Sequence, residues 1–202
     1  MIGEDNSKYD FYKETPYWSN SKKRVLYGQS RSQDNQKLVE EAILKGEGPK
    51  IEFKPYIDLD NKNNRKREEI LKTIVAFANL SGGVLIVGIN DTCEIVGLEK
   101  DLSKKDKGQK KDDIYEKYIG ALKKYVSDNL NKEVGLEIGM AFIGEHAVIV
   151  VKVPEGLDKP YMTLPSNAIF VRRGASNSKP NENELKKIVI SSARGESVFN
   201  KD

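Results

Sequence analysis

Residues 70–98 read ILKTIVAFANLSGGVLIVGINDTCEIVGL, and the fold turns on where this stretch changes its period. Ile70, Ile74, Val75, Phe77 and Ala78 recur at helical spacing, which predicts a helix over about 66–80 with one apolar stripe. Ser81, Gly82 and Gly83 stop it. VLIVGI then runs almost without a polar residue, the pattern of a strand buried on both faces. The turn residues Asn90, Asp91 and Thr92 predict that the chain returns through EIVGL, making a hairpin at the centre of the core.

Upstream, KIEFKPYIDL (50–59) alternates, with Ile51 and Phe53 on one side and Glu52 and Lys54 on the other, as a strand requires. Before it, Leu38, Val39, Ala42, Ile43 and Leu44 predict a short helix over 34–45, capped by Asp34 and ended by Gly46. Residues 1–31 show no period. They hold Tyr9, Phe11, Tyr12, Tyr17, Trp18 and Tyr27 beside a basic knot at Lys22, Lys23 and Arg24, and read as an arm whose rings could pack on the domain, dock on another subunit or stack on bases.

Downstream, the lysine-rich segment 99–111 lacks apolar spacing and is expected to be an exposed loop. Ile114, Tyr118, Ala121, Leu122, Tyr125 and Val126 predict a helix over 112–130. Strands follow over 134–143 and 146–153, joined at Gly144 and Glu145, then a proline-bearing loop, the strand AIFVRRG (168–174) and a helix over 180–193. The expected class is α/β, more strictly α+β: a mixed β-sheet flanked by helices. It forms one domain over 32–195, with a short tail at 196–202.

The whole chain has 202 residues, enough to bury one substantial core. No run approaches the roughly 18 apolar residues of a membrane span, and the first residues lack the apolar stretch of a secretory signal, so the reducing cytoplasm is the expected location. A single cysteine, Cys93, and a single histidine, His146, are too few for a disulfide framework, a zinc cluster or an iron–sulfur centre. Cys93 reads as a small core filler and His146 as an ordinary surface or packed residue. Catalysis would have to rest on carboxylates and lysines.

Three acidic residues sit where a sheet edge could hold them. Glu47 lies in a glycine-flanked turn before the first strand, Glu52 on its polar face, and Asp91 just beyond VLIVGI. Carboxylates held together suit a hard divalent cation, magnesium or manganese, which takes oxygen ligands and stabilises charge on a phosphate. Lys54, on the same strand face as Glu52, could orient a water or meet the phosphate. The same spacing also describes a solvated Glu–Lys pair and an ordinary turn aspartate. Gly82, Gly83 and Gly88 precede a strand and lack a following Lys-Ser or Lys-Thr, so a P-loop is not expected.

In order and separation, EGPKIEFK (47–54), the 70–98 stretch and AIFVRRGASNSKPNENEL (168–185) resemble the AlbA-like domain of the Schlafen family, over about residues 38–190. The resemblance implies a metal-dependent endoribonuclease that cleaves structured RNA such as transfer or ribosomal RNA. Glu47, Glu52 and Asp91 match the family's catalytic acidic trio, with magnesium or manganese as the implied cofactor. The better-known animal members pair two lobes around a groove and carry a zinc cluster. This chain has one lobe and lacks the cysteines, which implies a homodimer or larger assembly.

Backbone-gripping cations are expected at Arg65, Lys66 and Arg67 heading a helix, at Lys104, Lys105, Lys107, Lys110 and Lys111, and at Arg172 and Arg173 ending a strand. The 34 basic residues barely exceed the 31 acidic ones, so each cluster also reads as a solvated face. Since neighbouring strand residues point oppositely, one of Arg172 and Arg173 should face a ligand. A rival function uses the same domain as a non-catalytic nucleic-acid-binding or regulatory module, and a third binds ATP at the glycine-rich strand edge.

Overall fold

The computed structural model describes residues 22–61, 65–105 and 111–194. Helix α1 (Lys22–Lys45) leads into strand β1 (Ile51–Lys54), followed by α2 (Arg65–Asn79), β2 (Gly83–Val87), α3 (Glu99–Lys105) and α4 (Lys111–Asn129). Strands β3 (Glu137–Ile143) and β4 (His146–Val153) form a hairpin about Gly144, whose φ is +60°. A second, two-stranded sheet pairs β5 (Val171–Arg173) with β6 (Ser176–Ser178), and α5 (Glu182–Arg194) closes the chain.

The main sheet has the order β1-β2-β4-β3. β1 runs parallel to β2, with Glu52 opposite Leu85 and Phe53 opposite Ile86, while β4 is antiparallel to both β2 and β3. The mixed α+β architecture expected from the alternating helix and strand periods is therefore present. The central hairpin is confined to the end of β2. EIVGL returns only against residues 88–90, where Ile89 bridges Ile95, Asn90 N–H donates to the Glu94 carbonyl at 3.0 Å and Val96 N–H to the Gly88 carbonyl at 2.9 Å, while β2 itself pairs with β1 and β4. Pairing both edges of an apolar strand with distant strands buries it more fully than a local return could.

Period 2 divides the sheet residues between two layers. Phe53, Ile86, Ala141, Val148 and Val150 face α1 and meet Val39 and Ala42. Leu85, Val87, Ile149 and Val151 face α2 and α4, meeting Ile74, Phe77, Tyr118 and Leu122. Asn35 of α1 is buried and donates from Nδ2 to the Met140 carbonyl at 3.3 Å, fixing the helix across β3.

Two further differences from the periodicity concern helices. α1 starts at Lys22, so residues 22–31, expected in the arm, are helical and Asp34 is interior instead of a cap. The segment expected to be a loop after residue 98 begins with α3, anchored by the buried Leu102. Both stretches are mostly polar and show too few apolar residues to reveal a period. The remainder of the arm to residue 21, the tail beyond residue 195, and Lys107 and Lys110 lie outside the described residues. Among the described residues no helix is long and apolar enough to cross a membrane.

The glycines after α2 serve packing. Gly82, at φ +71°, returns its N–H to the Phe77 carbonyl at 2.9 Å and ends the helix. A Cβ on Gly83 would stand 2.6 Å from the Phe77 ring, so only glycine lets β2 start this close to the helix.

Candidate functional site

The first strand brings its two polar residues to the layer occupied by α2 and β5, away from bulk water. Glu52 is 4% exposed. Its Oε1 lies 2.5 Å from Lys54 Nζ and its Oε2 2.5 Å from Arg172 Nη2. The Arg172 contact is an ion pair without the angle of a hydrogen bond, so Oε2 is held by charge. Arg172, itself 5% exposed, directs its other donors to the Gly48 carbonyl (3.1 Å), the Ile51 carbonyl (3.0 Å) and Asn177 Oδ1 (3.1 Å). Asn177 continues the network by donating to the Thr73 hydroxyl at 2.8 Å.

These contacts answer a problem that β1 poses. It is an edge strand, and its outward backbone groups would otherwise be unpaired. Glu47 Oε1 accepts the Phe53 N–H at 2.8 Å, and Arg172 with Gly48 N–H covers the Ile51 carbonyl. Glu47, Glu52, Lys54 and Arg172 thus form one electrostatic plug on the free edge of the sheet.

Asp91 does not join it. The turn after β2 is organised by Asn90, whose Oδ1 accepts the N–H groups of Thr92 (3.0 Å) and Glu94 (2.9 Å), and Asp91 projects exposed from its tip. Cys93 takes φ +63° in the same turn and is half-buried against the α1 layer. Among the described residues no group of three or more His, Cys, Asp or Glu is placed to hold a metal. The carboxylate oxygens present are hard donors of the kind magnesium and manganese prefer, yet Glu52 already carries two cations and Glu47 a backbone N–H. As folded, the trio does not fit a divalent cation.

The basic residues separate in the same way. Arg172, expected at a ligand, points inward as a structural tether. Arg173 points out and pairs with Glu184, Nη2 to Oε2 at 2.5 Å, a contact that holds the Glu184 carboxyl below the usual range. Lys104 pairs with Asp101 at 3.3 Å, and the side chains of Lys105 and Lys111 lie outside the described residues. Arg65 and Lys66 are exposed at the start of α2. His146 stands 3.7 Å from Glu99 at the β4 start, in keeping with a surface residue.

Among the described residues, Arg67 is the expected cation that opens on a groove. A groove of about 400 Å³ between α2, α4 and the 163–170 segment is lined by Arg67, Lys72, Tyr125, Asn129, Ser166 and Phe170, among others. The Arg67 guanidinium lies 4.5 Å from the Tyr125 ring centroid and Lys72 Nζ 5.8 Å from that of Phe170. Burial pushes the Tyr125 phenol up, against the opposing pull of Arg67. Glu68 lines the same groove and its charge also raises the Tyr125 phenol, but among the described residues no ion pair joins a carboxylate to Arg67 or Lys72.

Sequence reasoning did not single out Lys72, Tyr125 or Phe170, because Tyr125 at helical spacing and Phe170 in a strand read as core and a lone helix lysine reads as solvated. It also missed Asn79, which is wholly buried; its Nδ2 donates to the Tyr161 (2.9 Å) and Phe170 (3.1 Å) carbonyls and its Oδ1 accepts the Tyr161 N–H (2.8 Å). One signal was available: an amide closing the apolar run AFAN must find buried partners.

Residues 47–181 match the family model described as Schlafen, AlbA_2. No curated protein matches the chain. Among solved structures, the chain is similar to the DIP2311 protein from Corynebacterium diphtheriae, at 17% identity and a TM-score of 0.52, over 84% of this chain and 30% of that one. The chain therefore spans less than a third of that relative, and the likeness concerns the fold. A second match, at 21% identity and a TM-score of 0.39, covers 73% of this chain and 91% of the N-terminal domain of a putative ATP-dependent DNA helicase RecG-related protein from Nitrosomonas europaea.

Proposed function

The chain belongs to the Schlafen AlbA_2 family, and from that premise we propose that it is an RNA-binding module that grips its ligand at the α2–α4 groove without hydrolysing it. The observation that carries this reading is the state of the cations. Lys54, Arg172, Arg173 and Lys104 are committed to carboxylates within the domain, whereas Arg67 and Lys72 share an open groove and have no such partner among the described residues.

Unpaired cations beside aromatic rings suit a polyanion with flat bases, since phosphate meets the charge and each base has a face to stack. Arg65, exposed at the same helix end, extends the positive surface along a backbone. Hydrolysis lacks comparable support. A substrate phosphate would have to reach a glutamate that is 4% exposed and already neutralised twice.

The test is fluorescence anisotropy with a labelled transfer RNA across a salt series, with a parallel gel assay of RNA integrity in manganese and in chelator. Binding that weakens steeply with salt, is indifferent to chelator and leaves the RNA intact is the expected result. Failure to bind at low salt overturns the proposal. So does manganese-dependent cleavage that disappears in Asp91→Ala, which would restore the acidic trio as a metal centre formed on substrate binding.

A further inference from the structure

We infer that the α2–α4 groove receives a single unpaired nucleotide, its base against Tyr125 and Phe170 and its phosphate at Arg67 and Lys72; this rests on the RNA-binding reading above and specifies it. The volume is the first reason. About 400 Å³ lies at the small end of ligand cavities, enough for one mononucleotide and far short of a double helix. In a duplex the faces of the bases are covered by their neighbours, so aromatic rings in a recess can be used only by a base that has left the stack.

The arrangement of charge is the second reason. A guanidinium resting on a ring keeps its N–H groups around its rim, where they can donate to phosphate oxygens while the flat assembly serves as a stacking surface. Lys72 is one turn or so further along α2 and brings its ammonium to the opposite ring, that of Phe170. The groove therefore presents two cation–ring pairs, both cations from α2 and the rings from α4 and the 163–170 segment. The amide of Asn129 and the hydroxyls of Thr163 and Ser166 line the same space and offer groups to a base edge.

The walls are also fixed in advance. Asn79 ties the main chain of Tyr161 and Phe170 to the end of α2, and the Leu164 N–H donates to the Asn129 carbonyl at 2.8 Å, joining the segment to α4. A pocket held at both ends loses little freedom when a ligand enters.

The experiment uses the full chain and three probes: a labelled single-stranded RNA, the same sequence as a blunt duplex, and adenosine 5′-monophosphate as competitor, with inorganic phosphate as its control. The single strand should bind at least about tenfold more tightly than the duplex, and the monophosphate should displace it where phosphate at equal concentration does not. Phe170→Leu, which keeps the side chain apolar, should lose roughly tenfold for the single strand and leave duplex binding unchanged. Arg67→Gln with Lys72→Gln should lower the salt slope by about 1.4, the share of two phosphate contacts on a single strand. Tyr125→Leu is the second ring variant, and thermal melting shows which variants fold.

Equal affinity for strand and duplex, no displacement by the monophosphate, or unchanged single-strand binding by both folded ring variants overturns the inference while leaving RNA binding in place. Absence of RNA binding by the unaltered chain overturns both readings at once.

Discussion

Arg172 Nη2 and Glu52 Oε2 stand 2.5 Å apart between β5 and the edge strand β1, with both residues almost withdrawn from water. The pair tethers the small sheet to the large one. The guanidinium reaches across to the carbonyls of Gly48 and Ile51, so the ion pair and the hydrogen bonds hold the same edge.

Removing one partner should therefore cost more than removing both. Arg172→Met leaves Glu52 short of a countercharge and takes the Arg172 donor from the Gly48 carbonyl, while Ile51 keeps only the Gly48 N–H, and should lower stability by about 3–5 kcal/mol. Adding Glu52→Leu should recover much of that loss. Urea unfolding of the two variants measures both.

Glu47 should behave as a backbone acceptor. Glu47→Gln keeps an oxygen for the Phe53 N–H and should be nearly neutral, while Glu47→Ala leaves that donor unmet and should cost about 1–3 kcal/mol. Asp91→Ala, at an exposed turn tip, should change stability by no more than about 0.5 kcal/mol. Thermal melts in chelator and in magnesium should coincide for all three variants.

Asn79→Leu should be far more damaging than its small change in volume suggests. It removes three buried bonds that hold residues 161–170 against α2, a loss of roughly 2–4 kcal/mol. Hydrogen exchange at the Tyr161 amide, now without its acceptor, should accelerate more than exchange in β4.

At Gly83 the added methyl of alanine would meet the Phe77 ring at 2.6 Å. Gly83→Ala should destabilise by about 1–3 kcal/mol through overpacking, and Phe77→Leu in the same chain should relieve part of it. Chemical denaturation of the single and double variants gives the coupling.

Acid should loosen the start of α5. Asn181 and Glu184 form a reciprocal cap there, with Glu184 N–H donating to Asn181 Oδ1 at 2.9 Å and Asn181 N–H to Glu184 Oε2 at 2.7 Å. The hydrogen bond from Arg173, and then that from the Asn181 backbone, lower the Glu184 pKa below 4.5. A carboxyl so lowered stabilises the fold above its unfolded pKa, and the contribution disappears as pH falls through the folded one. Melting temperature should be flat near neutrality and fall below about pH 4.5, with a shallower fall in Glu184→Gln.

Helix α2, strand β2 and the β3–β4 turn could be read from the chain because their signals are local: a stripe at 3.6 residues, an apolar run, a glycine at the turn. The same reading assigned Glu52 and Lys54 correctly to one face of β1 and set Arg172 and Arg173 on opposite sides. Period 2 fixes such relations between neighbours. It says nothing of which side is wet.

That choice belonged to the tertiary structure. α2 and β5 cover the Glu52 face, which turns an expected solvent-facing carboxylate into a buried ion pair and sends Arg172 inward while Arg173 meets Glu184. The partners of β2 were likewise decided at a distance, since an apolar strand pairs equally well with any strand that arrives, and β1 and β4 took both its edges, leaving EIVGL to return only against residues 88–90 beyond its end. The groove of Arg67, Lys72, Tyr125 and Phe170 joins two helices with a segment nearly a hundred residues beyond the first. Sequence spacing determined which residues stand side by side on each element; only the packing of those elements determined which charges meet each other and which were left for a ligand.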